Sequence, residues 1–196
     1  MDRITYRKLE LLDQQIQSCT RCNLYQNGRA KPYWNEYSKY MMVLEAPGKE
    51  EIQNNEVIIG KTGRMFWELL AEYQLTKNMF LIMNSVNCRV LNGRKNGKPS
   101  ELHRDSCRDW IRKYIKVFQP DTLLLFGNYA MHTITGEWGI NSFYPNGLLT
   151  EEEIYDIKMN VIRSTHPSSM IYGGDARNKV IQSIEKFKQW KETIYE

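Results

Sequence analysis

Four short apolar segments dominate the pattern of hydrophobic and polar positions along the chain. They cover residues 40–45, 79–84, 121–126 and 158–163, and Pro or Gly follows three of them within a few residues. Nearly continuous apolar runs bounded by turns are typical of parallel strands that are buried on both faces. The pattern therefore predicts four buried strands.

Helical periodicity occupies the sequence between these segments. Apolar side chains recur every three or four residues in 63–73, 101–118 and 175–193, and a further helix is predicted at 6–16. Strands that alternate with helices predict right-handed β-α-β crossovers. We therefore expect an α/β fold, a three-layer αβα sandwich around a central four-stranded parallel sheet, with residues 1–196 forming a single domain. In such folds the chemistry lies in loops beyond the carboxyl ends of the strands.

The composition is that of an ordinary globular protein, with 41% hydrophobic and 26% charged residues and a net charge of +4. It excludes a collagen-like, low-complexity or wholly disordered chain, and the charge is a mild indication of a polyanionic partner. The apolar runs are far shorter than the ~20 residues needed to cross a bilayer. The N-terminus lacks the apolar segment of a signal peptide. We expect a cytoplasmic protein with no membrane association.

The four cysteines are candidate metal ligands, because thiols in a cytoplasmic protein seldom form disulfides. Cys19 and Cys22 form a Cys-x2-Cys pair, which presents two thiolates to one metal. Cys88 and Cys107 do not form a second such pair, which excludes a compact zinc ribbon. From the spacing alone, unrelated buried thiols, a zinc site and an iron–sulfur cluster all stay open.

A series of motifs resembles those of family 4 uracil-DNA glycosylases in the same order. They are Cys19-Thr-Arg-Cys22-Asn-Leu, Glu45-Ala-Pro-Gly48, Gly60-Lys-Thr-Gly63, Asn84-Ser-Val-Asn-Cys88-Arg89, Cys107 and His166-Pro-Ser168. The resemblance implies a [4Fe–4S] cluster on the four cysteines. It also implies a monomer that hydrolyses the N-glycosidic bond of a flipped base in single- or double-stranded DNA.

The resemblance assigns three side chains to catalysis. His166 matches the family His that donates to the pyrimidine O2 as the base becomes anionic. Asn84 matches the Asn that reads the Watson–Crick edge, for which an amide offers a donor and an acceptor. Glu45 matches a carboxylate near the base and the water route. The alternative interpretations are a structural turn at His166, loop closure by Asn84, and either helix N-terminal capping or a solvated strand end at Glu45.

Further residues are assigned to the base pocket and to DNA. The expected pocket residues are Ala46, Gly48, Ile58, Asn84 and Ser168. At the start of a helix, Gly60, Lys61 and Thr62 are expected to bind a phosphate through backbone N–H groups. One of Met170, Ile171 and Tyr172 is expected to fill the space that the flipped base leaves in the stack. Packing beneath the last helix is the alternative for these three residues.

The sequence departs from the family pattern at the floor of the pocket. Ile58 aligns with a family Phe that stacks on uracil, and an aliphatic side chain forfeits about 1–3 kcal/mol of stacking per base. Uracil is the conservative expectation for the substrate. The alternatives are excision of a larger modified pyrimidine, as in phage DNA during antiviral defence, and a non-catalytic DNA-binding module of the same fold.

Overall fold

A five-stranded mixed sheet forms the centre of the fold in the computed structural model, which describes residues 1–139 and 147–195. The strands of this sheet and of a small hairpin, in chain order, are β1 (Tyr40–Leu44), β2 (Phe80–Asn84), β3 (Leu91–Asn92), β4 (Lys95–Asn96), β5 (Thr122–Phe126), β6 (Leu149–Ile154) and β7 (Ile157–Ser164). The spatial order of the large sheet is β2-β1-β5-β7-β6, and β3 and β4 form a separate small hairpin.

Helices cover both faces of the sheet, as predicted. They are α1 (Arg3–Gln17), α2 (Lys49–Asn54), α3 (Lys61–Glu72), α4 (Glu101–Phe118), α5 (Asn128–Thr135) and α6 (Gly174–Tyr195). Apolar side chains of α1, α4 and α5 pack on one face of the sheet, and those of α3 and α6 pack on the other. The αβα sandwich is confirmed. None of the described helices is long and apolar enough to cross a membrane.

The prediction of four parallel strands is wrong in one respect, because β6 adds a fifth strand to the sheet. Strands β2, β1, β5 and β7 are parallel, as expected, whereas β6 pairs antiparallel with β7. An edge strand has only one neighbour, and most of β6 is partly or fully exposed. It therefore needs no continuous apolar run, and its three consecutive Glu residues gave no strand signal.

The strand register brings the predicted site residues to one edge of the sheet. Leu44 pairs with Asn84, so Glu45 begins its loop beside the end of β2. Phe126 pairs with Ser164, so the loop that carries His166 begins beside the end of β5. The carboxyl ends of four parallel strands therefore face the same space.

Candidate active site

A cavity of about 460 Å³ lies at this edge of the sheet. It is lined by every residue predicted for catalysis, the base pocket and the phosphate: Glu45, Ala46, Gly48, Ile58, Gly60, Lys61, Thr62, Asn84, His166 and Ser168. A cleft of about 480 Å³ between Leu148 and Gln189 contains none of them. Cavity size therefore does not locate the site, whereas the convergence of chemically suited side chains does.

His166 is held as a neutral hydrogen-bond donor. The backbone N–H of Ser168 donates to its Nδ1 atom across 3.2 Å, and the Ser168 hydroxyl lies 2.9 Å from the same nitrogen. A nitrogen that accepts from a backbone N–H carries no proton, so the proton of the neutral ring resides on Nε2. Burial lowers the pKa of His166 to about 4. The ring is therefore uncharged at neutral pH.

The backbone of Gly127 packs directly behind the His166 ring. Gly127 has φ +95°, and a Cβ atom there would lie 3.1 Å from the Cβ of His166. Its N–H donates to the carbonyl of Ser164 across 2.8 Å, which joins the ends of β5 and β7. A larger residue would press on the His166 side chain and would be strained at this φ.

Asn84 brings an unpaired amide to the cavity. Asn84 is 4% exposed at the end of β2, and its backbone N–H donates to the side-chain oxygen Oδ1 of Asn87 across 3.4 Å. Within the described residues, Nδ2 of Asn84 has no hydrogen-bond partner. An unsatisfied buried donor costs about 1–3 kcal/mol, so its retention at a cavity is typical of a group that binds a ligand.

Glu45 is a partly buried carboxylate at the end of β1. Its backbone carbonyl accepts hydrogen bonds from the Ser85 hydroxyl at 2.7 Å and from the Val86 N–H at 3.1 Å. Burial raises the pKa of the Glu45 carboxyl, and the positive charge of Lys98 acts in the opposite direction. The carboxylate is therefore a stronger proton acceptor than an exposed glutamate.

Ile58 forms a buried part of the cavity wall in a rare backbone conformation. Its φ is +48°, which is unusual for a β-branched residue. The Trp67 indole N–H donates to the Ile58 carbonyl across 2.9 Å. A Cβ atom on Gly63 would lie 2.2 Å from the Ile58 carbonyl oxygen, so only glycine fits there. The first turn of α3 thus holds the strained residue in place.

Glu51 is a positioning residue that the sequence did not identify. Its Oε1 atom accepts hydrogen bonds from the backbone N–H groups of Ile59 and Gly60, at 3.0 and 2.9 Å. The carboxylate therefore ties α2 to the loop that carries Ile58. The sequence signal is modest: Glu51 is one of two acidic residues in the first turn of a short helix.

These features can be compared with known proteins. The sequence profile of the Uracil DNA glycosylase superfamily matches residues 32–190. The chain belongs to this superfamily. It is 26% identical to the Type-4 uracil-DNA glycosylase of Archaeoglobus fulgidus over 186 residues, which cover 91% of this chain and 92% of the relative.

A second known protein is similar to this chain to nearly the same extent. The Type-4 uracil-DNA glycosylase of Thermotoga maritima is 25% identical over 195 residues, covering 93% of this chain and 94% of the relative. The family resemblance that the motifs indicated is therefore confirmed over nearly the whole length of the chain.

The start of α3 lies at the rim of the cavity that contains His166 and Asn84. Gly60 is the N-cap of α3, but its N–H already bonds to Glu51. The first turn of α3 contains no acidic residue, but the Glu50 and Glu51 carboxylates of α2 lie beside Gly60. The Gly60 N–H is therefore occupied, and phosphate contacts by Lys61 and Thr62 stay a prediction.

The segment after His166 divides into one buried and two exposed residues. It forms a short 3-10 helix, Pro167–Tyr172, in which Met170 is buried in the core that also contains α3 and α6. Ile171 is 44% exposed and Tyr172 is 87% exposed. Met170 thus packs beneath the last helix, which leaves Ile171 and Tyr172 as the candidates for insertion into DNA.

The four cysteines share one neighbourhood beside this edge. Burial raises the pKa of Cys88 to about 11 and that of Cys107 to about 12, and the charges of the other thiols act in the same direction. For Cys107 these other thiols are Cys19, Cys22 and Cys88. Within 1–139 and 147–195, no three His, Cys, Asp or Glu side chains are arranged to hold a single metal ion.

Hydrogen-bond donors and a cation surround these thiols. The Trp110 indole N–H lies 3.4 Å from the Cys19 sulfur, and the Asn87 backbone N–H bonds to the Cys107 sulfur. The Arg29 guanidinium donates to the carbonyl of Cys19, and its charge opposes the rise that burial causes in the pKa of Cys88. Such groups stabilise negative charge on sulfur, as an anionic metal–thiolate group requires.

Proposed function

We propose that the protein is a monofunctional DNA glycosylase that removes a flipped pyrimidine, with uracil as the substrate, and leaves an abasic site. The observation that carries this proposal is the meeting of His166 and Asn84 in one cavity, each with an N–H that no described residue accepts. Donors held in this way, in a member of this superfamily, suit a base that becomes anionic as it leaves.

In the proposed reaction, water forms a bond to C1′ of the sugar while the bond from C1′ to the base nitrogen breaks. The electron pair of that bond leaves with the base, so negative charge collects on the pyrimidine oxygens. The Nε2–H of His166 donates to one of these oxygens. Because the ring is already oriented by Ser168, little reorganisation accompanies the charge development.

Asn84 selects the base. Its Nδ2–H group donates to a carbonyl oxygen of the pyrimidine, and its Oδ1 atom accepts from the ring N3–H. A uracil edge offers this pattern, whereas cytosine presents an amino group and an unprotonated N3 in its place. A buried amide that meets the wrong edge would leave two polar groups unpaired, which gives strong discrimination.

Glu45 acts on the sugar side of the reaction. Its ionised carboxylate orients the attacking water and offsets the positive charge that develops on the deoxyribose. Its raised pKa makes it a better acceptor for a proton of that water.

DNA is bound around the mouth of the cavity. The N–H groups of Lys61 and Thr62 at the start of α3 bind a backbone phosphate. Tyr172, the most exposed large side chain near the pocket, fills the space left by the flipped base, with Ile171 beside it.

A [4Fe–4S] cluster is the group that the cysteines fit best. The four thiols lie in one neighbourhood, since Cys19, Cys22 and Cys88 all act on Cys107. The Trp110 N–H, the Asn87 N–H and the Arg29 guanidinium nearby favour negative charge on sulfur, as such a cluster would require. Cys19, Cys22, Cys88 and Cys107 would hold the cluster, whose role is structural because glycosidic hydrolysis transfers no electrons.

A larger modified pyrimidine is the second candidate substrate, and Ile58 is the observation that favours it. The side chain at the cavity wall is aliphatic, so it offers no π-face to uracil. A cavity of about 460 Å³ also has room for more than an unsubstituted base. We continue to expect a monomeric cytoplasmic enzyme.

A panel of oligonucleotides tests the proposal. Single- and double-stranded DNA carrying uracil, hydroxymethylated or glucosylated pyrimidines is incubated with the protein and then treated with alkali. Strand scission at uracil supports the proposal, and scission only at a modified base supports the second candidate. Binding without scission at any base would show a non-catalytic DNA-binding module.

A further inference from the structure

An aromatic cluster lies outside the pocket, around the turn that follows α5. The Trp138 side chain is 45% exposed. The His132 ring stacks on it with centroids 4.1 Å apart and an interplanar angle of 27°, and the Tyr129 ring meets it edge-on at 5.4 Å. The backbone N–H of Gly139 donates to Oδ1 of Asn128 across 3.2 Å, which folds the turn back onto the start of α5. Trp138 is thus held in place and still open to solvent.

A buried cation lies against the same ring. Arg104 is only 6% exposed, and its guanidinium carbon is 5.1 Å from the Trp138 ring centroid and 5.5 Å from that of Tyr129. Its Nη1 atom donates to the Pro99 carbonyl at 2.8 Å, but Nε has no partner within the described residues. No carboxylate of those residues forms an ion pair with Arg104, although the charges of Glu101 and Asp105 act on the neighbouring His132.

The cluster shares an edge of the sheet with the base pocket. Tyr129 follows Gly127, which packs against His166. On the other side, the carbonyl that Arg104 binds belongs to Pro99, which lies at the base of the β3–β4 hairpin. The same hairpin contributes Asn96 to the wall of the pocket. Two short segments of chain, the start of α5 and the β3–β4 hairpin, therefore connect the cluster to the pocket.

We propose that Trp138 and Arg104 form a binding site for a nucleotide of the same DNA strand, next to the target nucleotide. The base stacks on the exposed indole, and the charge of Arg104 attracts the adjacent phosphate. Aromatic side chains beside cations are the usual means of binding single-stranded DNA without sequence preference. The inference rests on the proposed DNA substrate, but it requires no excision.

The test is binding of a fluorescently labelled thymidine oligonucleotide, which contains no uracil. Trp138→Ala should weaken binding about five- to a hundred-fold, the range measured for loss of one stacked base. Trp138→Phe should keep most of the affinity because it retains a π-face, whereas Trp138→Leu should behave like Trp138→Ala. Tyr37→Ala is the matched control, since Tyr37 is 69% exposed just before β1, at the opposite edge of the sheet.

Two further measurements separate stacking from a loss of folding. Tryptophan emission of the wild type should be quenched by the oligonucleotide, and this quenching should largely disappear in Trp138→Phe. Arg104→Gln should reduce the slope of log affinity against log salt, by at most about 0.7, the value of one direct phosphate contact to a single strand. Thermal unfolding of each variant shows whether it is folded.

Three results would overturn the site: wild-type affinity in Trp138→Ala, equal affinity of the Phe and Leu variants, or full quenching in Trp138→Phe. If Trp138→Ala does not fold, the quenching comparison in Trp138→Phe decides. A wild type that binds the oligonucleotide through Trp138 but excises no base would refute the proposed function and leave this site intact.

Discussion

The backbone N–H of Ser168 donates to Nδ1 of His166 across 3.2 Å, and this one contact fixes the proton of the neutral ring on Nε2. Because burial lowers the pKa of His166 to about 4, we expect ¹⁵N NMR to show an unprotonated Nδ1 from pH 8 down to about 5. A His166 that titrates near its ordinary value of 6.5 would contradict a neutral donor.

The same pKa shift predicts how stability depends on pH. The unfolded chain binds a proton on this ring below pH 6.5, whereas the folded protein does so only near pH 4. The contribution of His166 to the free energy of unfolding is therefore complete above pH 6.5 and is lost as the pH falls toward 4. Urea unfolding at several pH values should show a smaller loss in His166→Gln than in the wild type.

Lys98 should influence the pH below which the excision rate falls, because its charge acts on the Glu45 carboxyl. Burial raises the pKa of Glu45 and Lys98 lowers it, so removal of the lysine charge should raise it further. In Lys98→Met the acidic limb of the single-turnover rate should move to higher pH. Lys95→Met, on the same hairpin, is the control and should leave the limb in place. If the acidic limb of Lys98→Met matches that of the wild type, the charge of Lys98 does not act on the Glu45 that limits the rate.

Ile58→Phe should shift preference toward uracil, because it adds a π-face to the cavity wall and occupies space beside the base. We expect the ratio of uracil to hydroxymethylated-pyrimidine excision to rise about five-fold or more, within the range of one base–aromatic contact. Single-turnover rates on both substrates measure it. The control is Ile59→Phe, since Ile59 does not line the cavity. If both variants shift the ratio equally, Ile58 is not a selectivity residue.

Anaerobically purified protein should be brown and contain about four iron atoms per chain, as a [4Fe–4S] cluster requires. Cys107→Ala should lose iron and fold in lower yield, because it leaves the other thiols with an incomplete ligand set. Met131→Ala, a core substitution packed with α1 and α4, should cost stability but keep the iron. Stoichiometric zinc with no iron would refute the cluster.

The buried elements of the fold could be predicted from sequence. The helix at 101–118 is observed with those bounds. Three predicted strands differ from β1, β2 and β5 by one residue at one end, and the fourth differs from β7 by one residue at each end. These elements bury a continuous or periodic apolar surface. The missed elements, β6, α2, α5 and the β3–β4 hairpin, are short or polar, and β6 acquires its conformation from pairing with β7.

The residues of the site likewise divide into those that sequence motifs indicate and those that only tertiary contacts reveal. The motifs placed Glu45 and Asn84 at the ends of predicted strands and His166 three residues after one, and the structure brings all three to one cavity. Glu51 and Arg104 could not be identified in this way, since their importance lies in contacts with Gly60 and Trp138 that the sequence does not reveal. The roles of Glu51 and Arg104 can therefore be recognised only from the tertiary structure.

The most direct test of the account is single-turnover release of uracil from DNA by the wild type and His166→Ala. We predict that the wild type leaves an alkali-labile site and that His166→Ala slows the chemical step about 10²–10³-fold, as for other lost oxyanion donors. Affinity for DNA with an uncleavable target nucleotide should stay the same. A wild-type rate in His166→Ala would contradict the proposed role of the ring, and the residue would then be a structural turn.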